Sequence, residues 1–125
     1  EGVRKPDERE AFLLEQEKRE CEIFGRLADL GMRPLVGTDA GCGYTFFDET
    51  WLEMELLCRR CGLTPEKAIH AATLEGARAL GYGDFLGRLA PGYEADFIAA
   101  AQNPIQDIEA FRHIKHVVCR GKIIE

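Results

Sequence analysis

Several things are missing from this sequence. No apolar run approaches the ~18 residues that a membrane-crossing helix needs, which excludes a helical membrane anchor within these residues. Nor is there a block of lysine and arginine: 16 basic residues stand against 22 acidic ones for a net charge of -6, so a polyanion such as nucleic acid is a disfavoured partner. The five cysteines, Cys21, Cys42, Cys58, Cys61 and Cys119, are odd in number and scattered, which excludes a closed disulfide framework and fits reduced thiols. No internal repeat or low-complexity segment occurs, so the chain is neither a solenoid nor a linker. Its opening residues, Glu1 to Glu10, are charged and unlike a signal peptide, so a cytoplasmic protein is expected. It starts on Glu1-Gly2 rather than Met and is read as a piece of something longer.

What remains is 125 residues, 46% hydrophobic and 30% charged, the make-up of an ordinary globular domain with one core. The acidic run Asp7-Glu8-Arg9-Glu10 suits a helix N-terminus. Apolar residues then recur at Phe12, Leu13, Ile23, Phe24, Leu27 and Leu30, which predicts a long helix closing at Gly31. Glu15 to Glu20 is almost wholly charged and reads as its solvated face. A second helix is expected after Asp48 or Thr50, where Thr50-Trp51-Leu52-Glu53 has capping-box spacing, with an end near Gly62. A third runs from an N-cap at Thr64 and Pro65 along a stripe of Ile69, Ala72, Thr73, Gly76 and Leu80 to Gly81. Beyond Tyr82, glycines and Pro91 give way to short apolar runs, Phe97 to Ala101 and Ile114 to Cys119, with a tight turn at Arg120-Gly121-Lys122. This tail reads as β-structure. The boundary falls between residues 1–82 and 83–125, and neither part is long enough to stand comfortably alone.

Within this frame one segment stands out. Pro34 to Gly37 suits a buried strand, and Asp39 sits at its C-terminal end, released into a loop by Gly41 and Gly43. Chemistry in α/β folds gathers at such strand ends. The same arrangement also serves a turn former or a helix cap, and these residues alone leave both open.

The motifs, taken in order, resemble the C-terminal part of the metal-dependent amidohydrolase superfamily, its imidazolonepropionase-like and prolidase-like branch. The resemblance rests first on Gly31-Met32-Arg33-Pro34-Leu35-Val36-Gly37-Thr38-Asp39-Ala40-Gly41, then on Gly62-Leu63-Thr64-Pro65-Glu66-Lys67-Ala68-Ile69 with Ala71-Ala72-Thr73, and on Ala77-Arg78-Ala79-Leu80-Gly81. It continues through Gly87-Arg88-Leu89-Ala90-Pro91-Gly92-Tyr93-Glu94-Ala95-Asp96, Asn103-Pro104-Ile105-Gln106-Asp107-Ile108 and Val117-Val118-Cys119-Arg120-Gly121-Lys122. It implies an α/β fold in which residues 1–82 are the C-terminal piece of a (β/α)8 TIM-like barrel, with Pro34 to Gly37 as its last strand. Residues 83–125 would then be part of a small β-sandwich.

The resemblance further implies that Asp39 is a metal ligand and the proton shuttle of a hydrolase. The divalent metal would be zinc, the substrate a small-molecule amide, and Thr38, Cys42 and Phe46 pocket residues. The family's other ligands, a His-x-His pair among them, are absent from these 125 residues. The chain alone is therefore expected to hold no metal and to be inactive, the complete parent being the enzyme. Ala99-Ala100-Ala101-Gln102 and Glu75 depart from the family pattern.

Blander readings accompany the rest. Cys58 and Cys61 have redox spacing but are expected inside the second helix as small apolar groups. Trp51, Phe46 and Phe47 either shape a pocket or make contacts at a helix start. His70, His113 and His116 are read as structural, and Glu53 and Glu55 as helix surface. The exposed strand edges that this layout predicts favour a homo-oligomer, and a non-catalytic, self-assembling module is the alternative function.

Overall fold

The computed structural model describes residues 6–43 and 45–124. The charged opening therefore lies partly outside the described residues. Helix α1 spans Glu8–Asp29 and starts on a reciprocal capping box: Asp7 accepts from the Glu10 N–H at 2.8 Å, and Glu10 accepts from the Asp7 N–H at 2.9 Å. It stops as expected at Gly31, whose φ of 95° lets Met32 donate back to the Leu27 carbonyl at 2.9 Å and Gly31 to Ala28 at 3.2 Å. Glu15 to Glu20 is exposed throughout.

The second helix begins differently from expectation. A 3-10 turn, Phe47–Glu49, leads into α2, Thr50–Arg59, and no side chain caps it. Thr50 is already helical, and the Glu53 carboxylate bonds the Gly37 amide at 3.1 Å instead of turning back on its own helix. Glu55 is buried, not surface, because Arg59 at 2.9 Å and Arg112 at 3.0 Å neutralise it. The helix ends before Cys61, so Cys61 stands in the turn rather than within α2.

Helix α3, Pro65–Ala72, is capped by Thr64, whose hydroxyl accepts from the Lys67 N–H at 3.3 Å. The expected single helix to Leu80 is broken at Thr73. The Thr73 hydroxyl bonds the Ile69 carbonyl at 2.7 Å, its backbone leaves the helical region, and a short α4, Leu74–Ala79, follows. Ala68 and Ala71, fully buried, let neighbours approach α3 closely. Residues 34–37 do not form the strand expected of them. Among the described residues no strand lies beside them, and the Val36 N–H goes to the Ala71 carbonyl of α3 at 3.3 Å.

The tail is a three-stranded antiparallel sheet of β1 Phe97–Ala100, β2 Ile114–Cys119 and β3 Lys122–Ile123, in that order. Phe97 faces Val118 and Ala99 faces His116, after which a register shift sets Ala100 against Ile114. Arg120 and Gly121, with φ of 49° and 74°, make the two-residue turn, and Asp96 accepts the Arg120 N–H at 2.6 Å. Between β1 and β2 a 3-10 helix, Ile108–Arg112, drops Ile108 into the core beside Ala28, Met54, Leu57, Leu63 and Ala68. That core is small. Phe12, Leu30 and Leu35 stand at 67%, 85% and 47% exposure.

Candidate active site at Asp39

Asp39 is exposed and holds a φ of 51°, a left-handed conformation that costs a non-glycine residue energy, though aspartate tolerates it better than most. The contacts that hold it lie on both sides. Upstream, consecutive amides are tied to different helices, Val36 to the Ala71 carbonyl and Gly37 to the Glu53 carboxylate. Downstream, the Asp39 carbonyl accepts the Cys42 N–H at 3.1 Å, closing a turn whose third residue, Gly41, has the φ of 98° that a type II turn requires. Thr45 continues the loop by donating to Cys42 at 3.0 Å and accepting from the Gly41 N–H at 3.0 Å. A Cβ on Gly41 would come within 3.2 Å of the Phe47 ring, so this glycine also makes room.

Beside the loop lies a cleft of about 310 Å³, walled by Gly37, Thr38, Thr45 and Glu49, with Leu52, Glu53 and Leu56 completing it. Of the expected pocket residues, Thr38 lines this cleft. Cys42 and Phe46 are exposed and stand apart from its wall. Glu53, expected on the helix surface, is half-buried and lines the cleft, as does Thr45, which the sequence did not single out. Glu53 sits three residues after Thr50 and imitates a local cap; nothing nearby in sequence signals that its partner is sixteen residues upstream. One Glu53 oxygen, Oε2, is buried without a partner among the described residues.

The remaining candidates go elsewhere. Trp51 packs against the core, and the Arg112 guanidinium lies 4.4 Å from its ring centroid, so it makes a structural contact at the helix start. His113 ends the 3-10 helix and His116 is exposed on β2, opposite Ala99. Cys61 has Cys21 of α1 as its thiol neighbour. Burial first, then the hydrogen bond with Cys21 and the charges at Cys21 and Glu17, push its pKa up to about 12. Burial also raises Cys58. Cys21 and Cys61 share the wall of a second cleft of about 270 Å³ that no residue of the Asp39 loop lines. Among the described residues no three His, Cys, Asp or Glu side chains stand together to hold a metal.

The pattern of the Amidohydrolase family matches residues 15–124. The chain belongs to the amidohydrolase family. It is 42% identical over 83 residues to an imidazolonepropionase of Deinococcus deserti, covering 66% of this chain and 21% of that protein. An ochratoxinase of Aspergillus niger is 37% identical over 99 residues, 76% of this chain and 20% of its own length. The crystal structure of A. niger ochratoxinase superposes with a TM-score of 0.75 at 32% identity, covering 96% of this amidohydrolase chain and 28% of that one. A Xaa-Pro dipeptidase with bound methionine in its active site also gives 0.75 at 32% identity, over 84% and 25%. The chain thus spans between a fifth and somewhat over a quarter of these relatives.

Proposed function

We propose that this chain is the C-terminal portion of an amidohydrolase whose complete form hydrolyses a carbon–nitrogen bond of a small-molecule amide, with Asp39 as its proton-transfer group. The single observation that carries this reading is Asp39 itself: a strained, exposed carboxylate held from both sides in a motif that matches the family. In this reading the Asp39 carboxylate accepts a proton from the attacking water and returns it to the leaving amine. Asp39 is also the one ligand this chain would contribute to a divalent metal, zinc in our reading. That metal's role is to make the bound water acidic enough to react near neutral pH.

The remaining ligands would come from parts of the parent that match the rest of the relatives' length, completing a (β/α)8 barrel whose last strand is residues 34–37. The three-stranded sheet would complete a small β-sandwich in the same way. The differing names of the relatives support an amide substrate without choosing among them.

A chimera tests the reading. This chain replaces the matching quarter of the Xaa-Pro dipeptidase, and hydrolysis of an Xaa-Pro dipeptide is measured. Activity is expected, with Asp39→Ala reducing it by about a thousandfold or more; activity that survives Asp39→Ala overturns the role of Asp39.

A second reading draws on the apolar side chains left in solvent, Phe12, Leu13, Leu30 and Leu35 among them. The isolated chain covers this surface by self-association, as a homo-oligomer without catalytic activity. Sedimentation distinguishes it: Phe12→Glu with Leu13→Glu should shift an oligomer to monomer, and a wild-type chain that sediments as a monomer at micromolar concentration sinks the idea.

A further inference from the structure

We propose that Glu53 is a positioning residue for Asp39, acting through the backbone amide of Gly37. The proposal rests on the reading of Asp39 given above and adds to it a second acidic residue, on α2.

Glu53 Oε1 accepts the Gly37 N–H at 3.1 Å, across sixteen residues of chain. Only Thr38 separates Gly37 from Asp39, so among the described residues this bond is the last external tie before the strained residue; the next, Cys42 to Asp39, lies within the loop. Val36, one residue earlier, is tied to α3. The approach to Asp39 is thus clamped by α3 at one amide and by α2 at the following one. Without the second clamp, Gly37 and Thr38 gain freedom to rotate, and the φ of 51° at Asp39 loses its nearest upstream restraint against relaxation to the negative-φ region.

Glu53 stands in the first turn of α2, where an acidic side chain favours the helix, yet its carboxylate is turned to the loop. Its Oε2 is buried with no partner among the described residues, a cost that an apolar side chain at this position would avoid. No side-chain cap forms at the start of α2, where Glu49 is the N-cap residue and Glu53 lies one place beyond the capping-box position. The carboxylate is spent on the loop. A charged acceptor also binds an amide more strongly than a neutral one, which suits a clamp on strained backbone. Gly37 supplies only its N–H: a Cβ there would meet nothing within 4 Å, so the contact is a hydrogen bond rather than a steric fit.

The test uses the 125-residue chain, isotopically labelled, as wild type, Glu53→Ala and Glu53→Gln. In Glu53→Ala, hydrogen exchange at the Gly37 amide should accelerate about tenfold relative to Leu57 in α2, and the Asp39 φ read from backbone chemical shifts should leave the positive region. The amide carbonyl of Glu53→Gln should rescue both. Unchanged Gly37 exchange with a retained positive φ at Asp39 in Glu53→Ala overturns the proposal. Should Glu53→Ala fail to fold, Glu53→Gln decides: the Gly37 proton must move upfield as a neutral acceptor replaces a charged one, and a stationary resonance overturns the clamp. Neither readout needs metal or substrate. An intact clamp beside a chimera indifferent to Asp39→Ala therefore refutes the catalytic reading alone, and a Gly37 amide and Asp39 φ indifferent to Glu53→Ala beside an Asp39-dependent chimera refute the clamp alone.

Discussion

Arg112 lies with its guanidinium 4.4 Å from the centroid of the Trp51 ring and donates to the Glu55 carboxylate at 3.0 Å. One side chain from the 3-10 helix thus covers an aromatic face and neutralises a buried carboxylate on α2. Arg59 adds a second link by pairing with both Glu55 and Glu109.

Replacing Arg112 by Ala should destabilise the chain by about 2 kcal/mol, since Glu55 keeps only one partner and the ring contact is lost. Trp51 is the only tryptophan, so its fluorescence in urea reports the midpoint and the exposure of the ring together. Arg112→Lys should recover little, because an ammonium cannot both stack and reach Glu55. Full recovery by lysine contradicts this account.

Two glycines with similar backbone angles should respond very differently to alanine. At Gly87, φ is 91° and a Cβ would lie 2.8 Å from the Leu74 Cα and 2.9 Å from the Thr73 carbonyl, so Gly87→Ala should cost about 3 kcal/mol or more. At Gly92, φ is 87° with nothing within 4 Å, and only the conformational penalty of about 1 kcal/mol applies. Paired thermal melts check the difference; equal losses would show that the contact at Gly87 relaxes freely.

Cys61 should be the slow thiol. With its pKa pushed up from 9.0 to about 12, it remains protonated in the fold at pH 8, whereas the exposed Cys42 and Cys119 are open to reagent. Mass mapping after brief alkylation should find Cys42 and Cys119 modified before Cys61. The folded state binds this proton more tightly than the unfolded one. Its stabilising contribution is therefore complete below pH 9 and declines as pH rises from about 9 to about 12. Denaturation midpoints of wild type and Cys61→Ala across that range should converge.

Zinc added to the isolated chain should bind no tighter than about the millimolar range at Asp39, since a single carboxylate supplies one ligand where a catalytic site uses three. Calorimetry tests it. A stoichiometric micromolar site abolished by Asp39→Ala would mean that these residues assemble a centre on their own.

Much of the helical layout is legible in local chemistry. Asp7 with Glu10, Thr64 with Pro65, and the positive-φ glycines at 31 and 81 carry start and stop signals within a few residues of where they act. The tail likewise shows its strands as short apolar runs and its Arg120-Gly121 turn. The breaks are long-range. Thr73 looks like an ordinary helix residue until its hydroxyl competes for the Ile69 carbonyl. Leu35 and Val36 have strand chemistry, but a ladder needs neighbours that no local pattern reveals. Asp39 is visible as a candidate from its glycines and from the family motif, whereas Glu53 is hidden because its amide partner leaves no trace in side-chain sequence.

Ile108 has a consequence for the order of events during synthesis. It completes a core whose other members, Ala28 to Ala68, precede it by 40 residues or more, so the helices are synthesised before the residue that seals them. Until then Met54 and Leu57 lack one wall of their packing. In a chain made from its N-terminal end, apolar surface on α2 therefore stays uncovered until the 3-10 helix is added.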